Sequence, residues 1–482
     1  MRNKIFFLLL TLGLLGGHHS LRAQEIRIMS YNIRLDLPSD GVNWWENRKS
    51  RVAGLMNYYE ADFIGCQEVL YKQLSYLDSN LKGYSYIGVG RDDGKQAGEY
   101  SCIFYKKDRY ELLKQSTFWL SPTPDLPSKG WDAALNRVCT YGYFRHKNSG
   151  QELWVFNTHF DHMGKQARLE SAKLILKKIK ELNETHAPVL LSGDFNSRPE
   201  DPPSQEILTQ LWNAREKSQL VYGEADTWNA FKFNEKPNGC IDYIFAAPFT
   251  YLTVKKFATL SDSYDLKYPS DHLPILATVQ ISQPFIREIA NFRKQDSLDP
   301  PATGKVLFIG SSSFTNWKDV QSYFPKSTII NRAFGGSALI DLDFYFDDIL
   351  PQYKPRQIVM YCGENDLANT DTVSAAMLLD RFRTVFNRIR SIYPAVPLVY
   401  ISIKPSPSRW HLREKAKEAN AAIRSFLSTQ KNTTWINVWD LMLTSEGKPD
   451  ESIFGPDMLH MNAKGYAIWK KLLEPVLIRD SN

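Results

Sequence analysis

The chain is 482 residues long, with 43% hydrophobic and 23% charged residues and 59 lysines and arginines against 53 acids, a net charge of +6. At ~100–200 residues per domain that length is too great for one ordinary core and points to two or three domains. The composition excludes a disordered or fibrous chain, and a weak basic excess without a basic cluster argues against a sequence-blind nucleic-acid binder.

Arg2 and Lys4 precede an apolar run from Ile5 to Leu15, and Leu21-Arg22-Ala23 offers a small residue for cleavage before Gln24. This is the pattern of a secretory signal peptide, so residues 1–23 are set apart from the fold and an exported location, periplasmic or extracellular, is expected. The run is shorter than the roughly 20 apolar residues of a spanning helix. No cysteine stands at the cleavage point, as a lipoprotein would need, and no later stretch reads as a transmembrane segment. Removing the leader takes away three bases and no acids, which leaves the mature chain close to neutral. Cys66, Cys102, Cys139, Cys240 and Cys362 are odd in number and widely spaced. For an exported chain they read as mostly buried thiols, with no disulfide framework and no zinc spacing.

From Gln24 to about Gln280, short strand-like runs alternate with amphipathic segments. Residues 26–31 and 62–66 read as strands and 47–59 as a helix between them, followed by strands at 153–158, 188–192 and 241–245. A short helix is expected over 285–295, and Asp299-Pro300-Pro301-Ala302-Thr303-Gly304 reads as a connector. Beyond it, apolar runs at 306–309, 357–361, 397–403 and 434–438 are separated by longer helical stretches such as 372–393, the alternation of a parallel, doubly wound sheet. Domains are expected over 24–282 and 283–482.

The chemistry-bearing residues of the first half fall at strand ends. Asn32 follows the first strand, Glu68 the second, His159 ends a third, Gly193-Asp194-Phe195-Asn196 ends a fourth, and Asp242 and Ser270-Asp271-His272 come later. Singly, an Asp at a strand end is more often a turn or cap residue. Together these groups supply hard oxygen ligands, a group to orient water, and donors for phosphate oxygens. Their order and context resemble the endonuclease/exonuclease/phosphatase superfamily over about Gln24 to Gln280. The resemblance implies a four-layer α/β/β/α sandwich and a divalent cation, Mg²⁺ or Mn²⁺, held chiefly by Glu68 with Asn32 and Asp271. It also implies that Asp194 and Asn196 orient the attacking water, that His272 backed by Asp242 faces the scissile phosphate, and that His159 is a further phosphate contact. Arg137, in Asn136-Arg137, is read as a phosphate contact or a structural salt bridge, and His162 as a supporting residue. The loop 88–99 and Trp44-Trp45 are read as substrate-contact elements or as ordinary loop and core.

In the second half, Gly310-Ser311-Ser312-Ser313 puts a hydroxyl-rich turn after an apolar strand, which alone is usually a helix cap. Gly335-Gly336, Gly363-Glu364-Asn365-Asp366 and Asp457-Met458-Leu459-His460 follow. This set resembles the SGNH, or GDSL-type, hydrolases over about Phe285 to Ile478, which implies a three-layer α/β/α flavodoxin-like fold and an esterase needing no cofactor. Ser312 would then be the nucleophile, His460 the general base and Asp457 its orienter, with the Ser312 and Gly336 N–H groups and the Asn365 amide as the oxyanion hole. The usual Asp before the nucleophile is Ser311 here, which leaves Ser311 and Ser313 as rival nucleophiles. The expectation is an exported bifunctional hydrolase acting on a phosphoester and on an acyl, especially acetyl, ester of a small molecule, lipid or glycan, with nucleic acid less favoured. The alternatives are an extracellular nuclease fused to a carbohydrate esterase, and a chain in which one domain only binds.

Overall fold

The computed structural model describes residues 24–183, 187–248, 251–369 and 372–480, so the leader expected over 1–23 lies outside the described residues. Among these no helix is long and apolar enough to cross a membrane. The chain divides into two compact units, one ending at Gln283 and the other starting at Pro284.

The first unit contains thirteen strands: β1 (Gln24–Asn32), β2 (Phe63–Gln67), β3 (Tyr84–Ile87), β4 (Ile103–Lys106), β5 (Tyr110–Trp119), β6 (Val138–His146), β7 (Glu152–His159), β8 (Val189–Asp194), β9 (Trp212–Asn213), β10 (Leu220–Tyr222), β11 (Asp242–Ala246), β12 (Leu252–Thr259) and β13 (Ile275–Ile281). They form one sheet in the order β10-β12-β13-β1-β2-β4-β3 and a second in the order β5-β6-β7-β8-β11-β9. Ile26, Ile28 and Phe63 of the first sheet pack against Phe144, Val155 and Ile244 of the second. The helices Trp45–Tyr59 and Tyr71–Asn80 cover the outer face of the first sheet, and Lys165–Leu182 that of the second. This is the expected four-layer sandwich. Strands such as β2 and β8 are buried along their whole length because both faces are covered.

One polar seam crosses the inter-sheet core just below the strand ends. Asn157 on β7 donates to the carbonyls of Cys66 and Cys102, both at 2.9 Å, and accepts from Gln67 Nε2 at 2.7 Å. A side chain at Gly65 would bring its Cβ to 2.4 Å from Ser192 Oγ and 2.5 Å from Asn157 Oδ1. Close approach of the sheets therefore requires glycine there, and the seam locks the end of β2 against the ends of β7 and β8.

The second unit is a five-stranded parallel sheet of β14 (Val306–Gly310), β15 (Ile329–Asn331), β16 (Gln357–Tyr361), β17 (Leu398–Ile401) and β18 (Thr433–Ile436), ordered β15-β14-β16-β17-β18. Two separate cores flank it, one under the helices Ala375–Ile392 and Arg413–Ser428, the other under Ala463–Leu473, which gives the expected three layers. The helix expected over 372–393 starts at Ala375 because Ser374 caps it, its hydroxyl accepting from Met377 N at 3.2 Å. The helix expected over 285–295 extends to Leu298. The five cysteines are free thiols, four of them buried.

Two candidate active sites

Strand register does most of the positioning in the first unit. β7 and β8 run parallel with His159 opposite Asp194, and β8 runs antiparallel to β11 with Asp194 opposite Asp242. Three polar side chains thus stand abreast at the ends of neighbouring strands. On the other sheet β1 ends at Asn32 beside Gln67, and the next residue, Glu68, leaves its strand at φ 60°. The Asn32 amide bridges the sheets, donating to Glu68 Oε1 and to Asp194 Oδ2, both at 3.0 Å.

Asp194 Oδ1 accepts the N–H of Asn196 at 2.9 Å, and Asn196 Nδ2 lies 3.2 Å from His159 Nε2. His272 pairs through Nδ1 with Asp242 Oδ2 at 2.9 Å, while its Nε2 lies 3.8 Å from Asp194 Oδ2. Glu68 Oε2 and Asp271 Oδ2 each lie 3.9 Å from Nη1 of Arg34. Glu68, Arg137, His159, Asp194, Asn196, Asp271 and His272 line one cavity of about 660 Å³, with Asn32 and Asp242 immediately behind them. Of the two roles left open by the sequence, Arg137 makes the salt bridge: its Nε lies 3.3 Å from Asp161 and its Nη2 3.1 Å from His162 Nδ1, while its buried Nη1 has no partner among the described residues and the side chain forms part of the cavity wall.

The electrostatics divide the two histidines. Burial, then Arg137 and Arg91, hold His159 well below its ordinary pKa, so its ring is neutral and Nε2 accepts from Asn196. Burial also favours a neutral His272, but Asp242, Asp194 and Asp271 outweigh it and hold that pKa well above the ordinary value. Burial and the neighbouring Asp242 push Asp194 up to about 7 against the opposing pull of His272 and the Asn196 N–H.

The donor set suits a hard divalent cation. Four carboxylates, Glu68, Asp194, Asp242 and Asp271, cluster here, and carboxylate oxygens are the ligands such ions take. Asp194, Asp242 and His272 have ligand atoms within 4.8 Å of one another. Yet Asp242 Oδ2 already accepts from the Thr227 hydroxyl at 2.5 Å and from His272, so a cation on that triple would displace the imidazole. Glu68 accepts from the Asn32 amide at 3.0 Å and from the Leu35 N–H at 3.1 Å, and with Asp271 it lies 3.9 Å from Arg34, so these carboxylates carry no imidazole that a cation would have to displace.

In the second unit the turn after β14 presents Ser312. Gly310 sits at φ 141°, where a Cβ would come within 1.9 Å of the Tyr361 carbonyl, so only glycine lets the chain cross β16 before the short helix Ser312–Thr315. Ser312 Oγ lies 2.9 Å from His460 Nε2, and His460 Nδ1 lies 2.5 Å from Asp457 Oδ2. That geometry selects Ser312 over Ser311 and Ser313, both of which are buried. Burial would raise the Asp457 pKa, but the N–H groups of His460 and Leu459 and the imidazole together outweigh it and bring it down to about 2. The Gly335-Gly336 turn lies beside the nucleophile, a Cβ on Gly335 falling 4.0 Å from Ser312 Cβ. Among the described residues the backbone N–H groups of Ser312 and Gly336 have no protein acceptor. Asn365 Nδ2 spends one N–H on the Ser337 carbonyl at 2.9 Å and keeps the other.

Arg34 and Trp228, which were not read from the sequence, line the first cavity together with Glu99, the last residue of the loop 88–99 read as a substrate-contact element or ordinary loop. Glu99 is clamped by Arg91 at 2.7 and 2.8 Å and faces His159 Nδ1 at 3.8 Å. Trp228 is 40% exposed and bridges backbone to backbone with His272. Trp45, by contrast, is buried in the core, and Trp44 donates from its indole to Asp36. Below the second site, Glu364 is a buried hub whose carboxylate meets Lys404, the Ser406 hydroxyl at 2.6 Å and Tyr361 at 2.8 Å.

Comparison with known proteins agrees with both geometries. A model of the endonuclease/exonuclease/phosphatase family matches residues 29–272, and one of the GDSL-like lipase/acylhydrolase family matches residues 307–468. Among solved structures, an endonuclease/exonuclease/phosphatase family protein from Bacteroides thetaiotaomicron is 38% identical, with a TM-score of 0.53 over 54% of this chain and 100% of that one. A mannosyl-6-phosphatase from the same organism is 39% identical, with a TM-score of 0.51 over 53% and 99%. Nocturnin from Drosophila melanogaster is 24% identical over 55% of this chain and 48% of its own length.

Proposed function

Because the chain belongs to the endonuclease/exonuclease/phosphatase family, we propose that it is an exported, bifunctional ester hydrolase: a metal-dependent phosphoesterase joined to a serine O-acyl esterase, working on a glycan or lipid that carries phosphate and acyl groups. Both matched families hydrolyse ester bonds. The observation that carries the reading is the presence of two closed hydrogen-bonded constellations in one chain, Asp242–His272 beside Asp194 and Asp457–His460–Ser312.

In the first unit Glu68, Asn32 and Asp271 would hold Mg²⁺ or Mn²⁺. When bound, that cation supplies Lewis-acid neutralisation of phosphate charge. Asp194, fixed by the Asn196 N–H and the Asn32 amide, orients and deprotonates water for in-line attack. His272, kept cationic by Asp242, donates to a phosphoryl oxygen, and neutral His159 with the unpartnered Nη1 of Arg137 completes the donor set. A sugar phosphate monoester is favoured by the 39% identity to a mannosyl-6-phosphatase.

In the second unit Ser312 Oγ attacks the acyl carbonyl as His460 Nε2 takes its proton. The N–H groups of Ser312 and Gly336 and the free N–H of Asn365 stabilise the oxyanion. His460 then returns the proton to the departing alcohol, and water, activated by the same imidazole, releases the acid and frees Ser312.

A nuclease is the second reading, supported by nocturnin and by a probable RNA exonuclease that is 28% identical over 45% of this chain. The test is phosphate and nucleotide release by the full chain with Mg²⁺ or Mn²⁺, using mannose 6-phosphate, RNA, phospholipid and acetylated glycan. Phosphate from the sugar and acetate from the glycan are expected. Nucleotide release from RNA as the fastest reaction would replace the sugar-phosphate reading.

A further inference from the structure

Away from both catalytic constellations, three of the chain's twelve tryptophans meet in one open groove of about 640 Å³ on the second unit: Trp410, Trp435 and Trp439. Trp439 is buried and stacks on Trp410 with ring centroids 6.1 Å apart, the Arg413 guanidinium lies 5.6 Å from the Trp410 ring centroid, and the half-buried Trp435 stacks on Tyr400 at 5.6 Å. Among the described residues no indole N–H of the three donates to a protein acceptor, whereas Trp44 and Trp119 do. An aromatic surface backed by the core, with its donors still available, is what a sugar ring uses: an apolar C–H face packs on the indole and hydroxyls take the N–H groups.

Cations complete the groove. Arg413, Lys417 and Arg424 on the helix Arg413–Ser428 line it against a single acid, Asp440. Arg413 and Lys417 share Glu414 at 3.3 and 3.6 Å, while Arg424 has no acidic partner among the described residues. Trp410 also borders a neighbouring depression of about 510 Å³ lined by residues such as Thr444 and Ser452. The turn that carries Trp410, Pro407–Leu412, is tied to the catalytic loop, for Ser408 N–H donates to the Met458 carbonyl at 3.0 Å. Trp410 thus sits on a turn that is bonded to the loop of Asp457 and His460.

We propose that this groove is a binding site for an acidic glycan chain, which holds the polymer on the second unit while an ester on it is turned over. Nucleic acid fits less well. A strand of phosphates is tracked by a run of unneutralised bases, and here two of three cations are shared with Glu414. The turnover of the ester rests on the proposed esterase, but the binding itself requires neither hydrolytic activity.

The full-length protein, with chelator present so that the probe is not consumed, is run on native gels containing a phosphorylated mannan, the same mannan stripped of phosphate, or poly(U). Retardation strongest with the phosphorylated mannan is expected. Trp410→Ala and Arg424→Glu each weaken it about tenfold, the scale of one lost anchor. Arg424→Glu, on an exposed helix face, leaves p-nitrophenyl acetate turnover unchanged. No retardation, retardation undiminished in both variants, or stronger retardation by poly(U) overturns the proposal.

Discussion

Replacing Asp457 with Asn tests how the second site works. Asp457 accepts three hydrogen bonds, from the N–H groups of Leu459 and His460 through Oδ1 and from the imidazole through Oδ2. Asn keeps the Oδ1 acceptor, so the loop holds its shape, but turns an N–H toward His460 Nδ1. The ring then places its proton on Nε2, facing Ser312, and cannot accept the serine proton. In a buried Ser-His-Asp triad this change costs roughly ten-thousandfold in kcat. Here 51% of the Asp457 side chain is exposed, so water partly replaces the carboxylate, and the expected loss is about a hundred- to a thousandfold. The assay is p-nitrophenyl acetate hydrolysis by Asp457→Asn, with KM read separately and phosphate release as the check on folding. A loss under about fivefold, with phosphate release intact, would show that Asp457 does not orient the base.

Three further outcomes follow from the geometry. Chelation by EDTA abolishes phosphate release and spares acetate release, and Mg²⁺ or Mn²⁺ restores it; phosphate release indifferent to EDTA would exclude the Glu68, Asn32 and Asp271 cradle. Glu364→Gln leaves Lys404, only 1% exposed in its side chain, without its counter-charge and destabilises the second unit by about 3–5 kcal/mol. Lys404→Met in the same protein recovers most of that, and a single variant with an unchanged melting temperature refutes the pairing. Burial and Asp366, opposed by the Ala338 N–H and by Arg381, raise the Asp341 pKa from 3.8 to about 6. A raised acid favours the folded state in its protonated form, so this contribution is whole below pH 3.8 and is lost as pH rises through about 6. Asp341→Asn therefore raises the urea midpoint at about pH 8 and not at about pH 4, and an equal change at both ends would assign the effect to packing.

The groups at strand ends were legible because a strand end fixes where a side chain goes. Once β7, β8 and β11 lie side by side, His159, Asp194 and Asp242 must meet. The pairing of Asp457 with His460, implied by the resemblance to SGNH hydrolases, is one that two residues three apart in one loop can form. What stayed hidden came from loops, whose direction depends on long-range packing. Arg34 reaches back between Glu68 and Asp271 only because it takes φ 58° two residues beyond β1. The loop 88–99 was legible as a whole, but which of its residues reaches the cavity was not: Glu99, clamped by Arg91, faces His159. Thr227 and Trp228 reach Asp242 and His272 through a hairpin whose pairing no periodicity announces. The Trp44-Trp45 pair stayed open between substrate contact and core because adjacent helix-start residues point different ways, and one of them packs in the core.

Whether two independent ester-cleaving centres share one chain is decided by measuring phosphate and acetate release side by side in Glu68→Ala and Ser312→Ala. Each variant should lose one product by about a thousandfold or more and keep the other. Loss of both products from either single change, or of neither from both, would contradict two such centres.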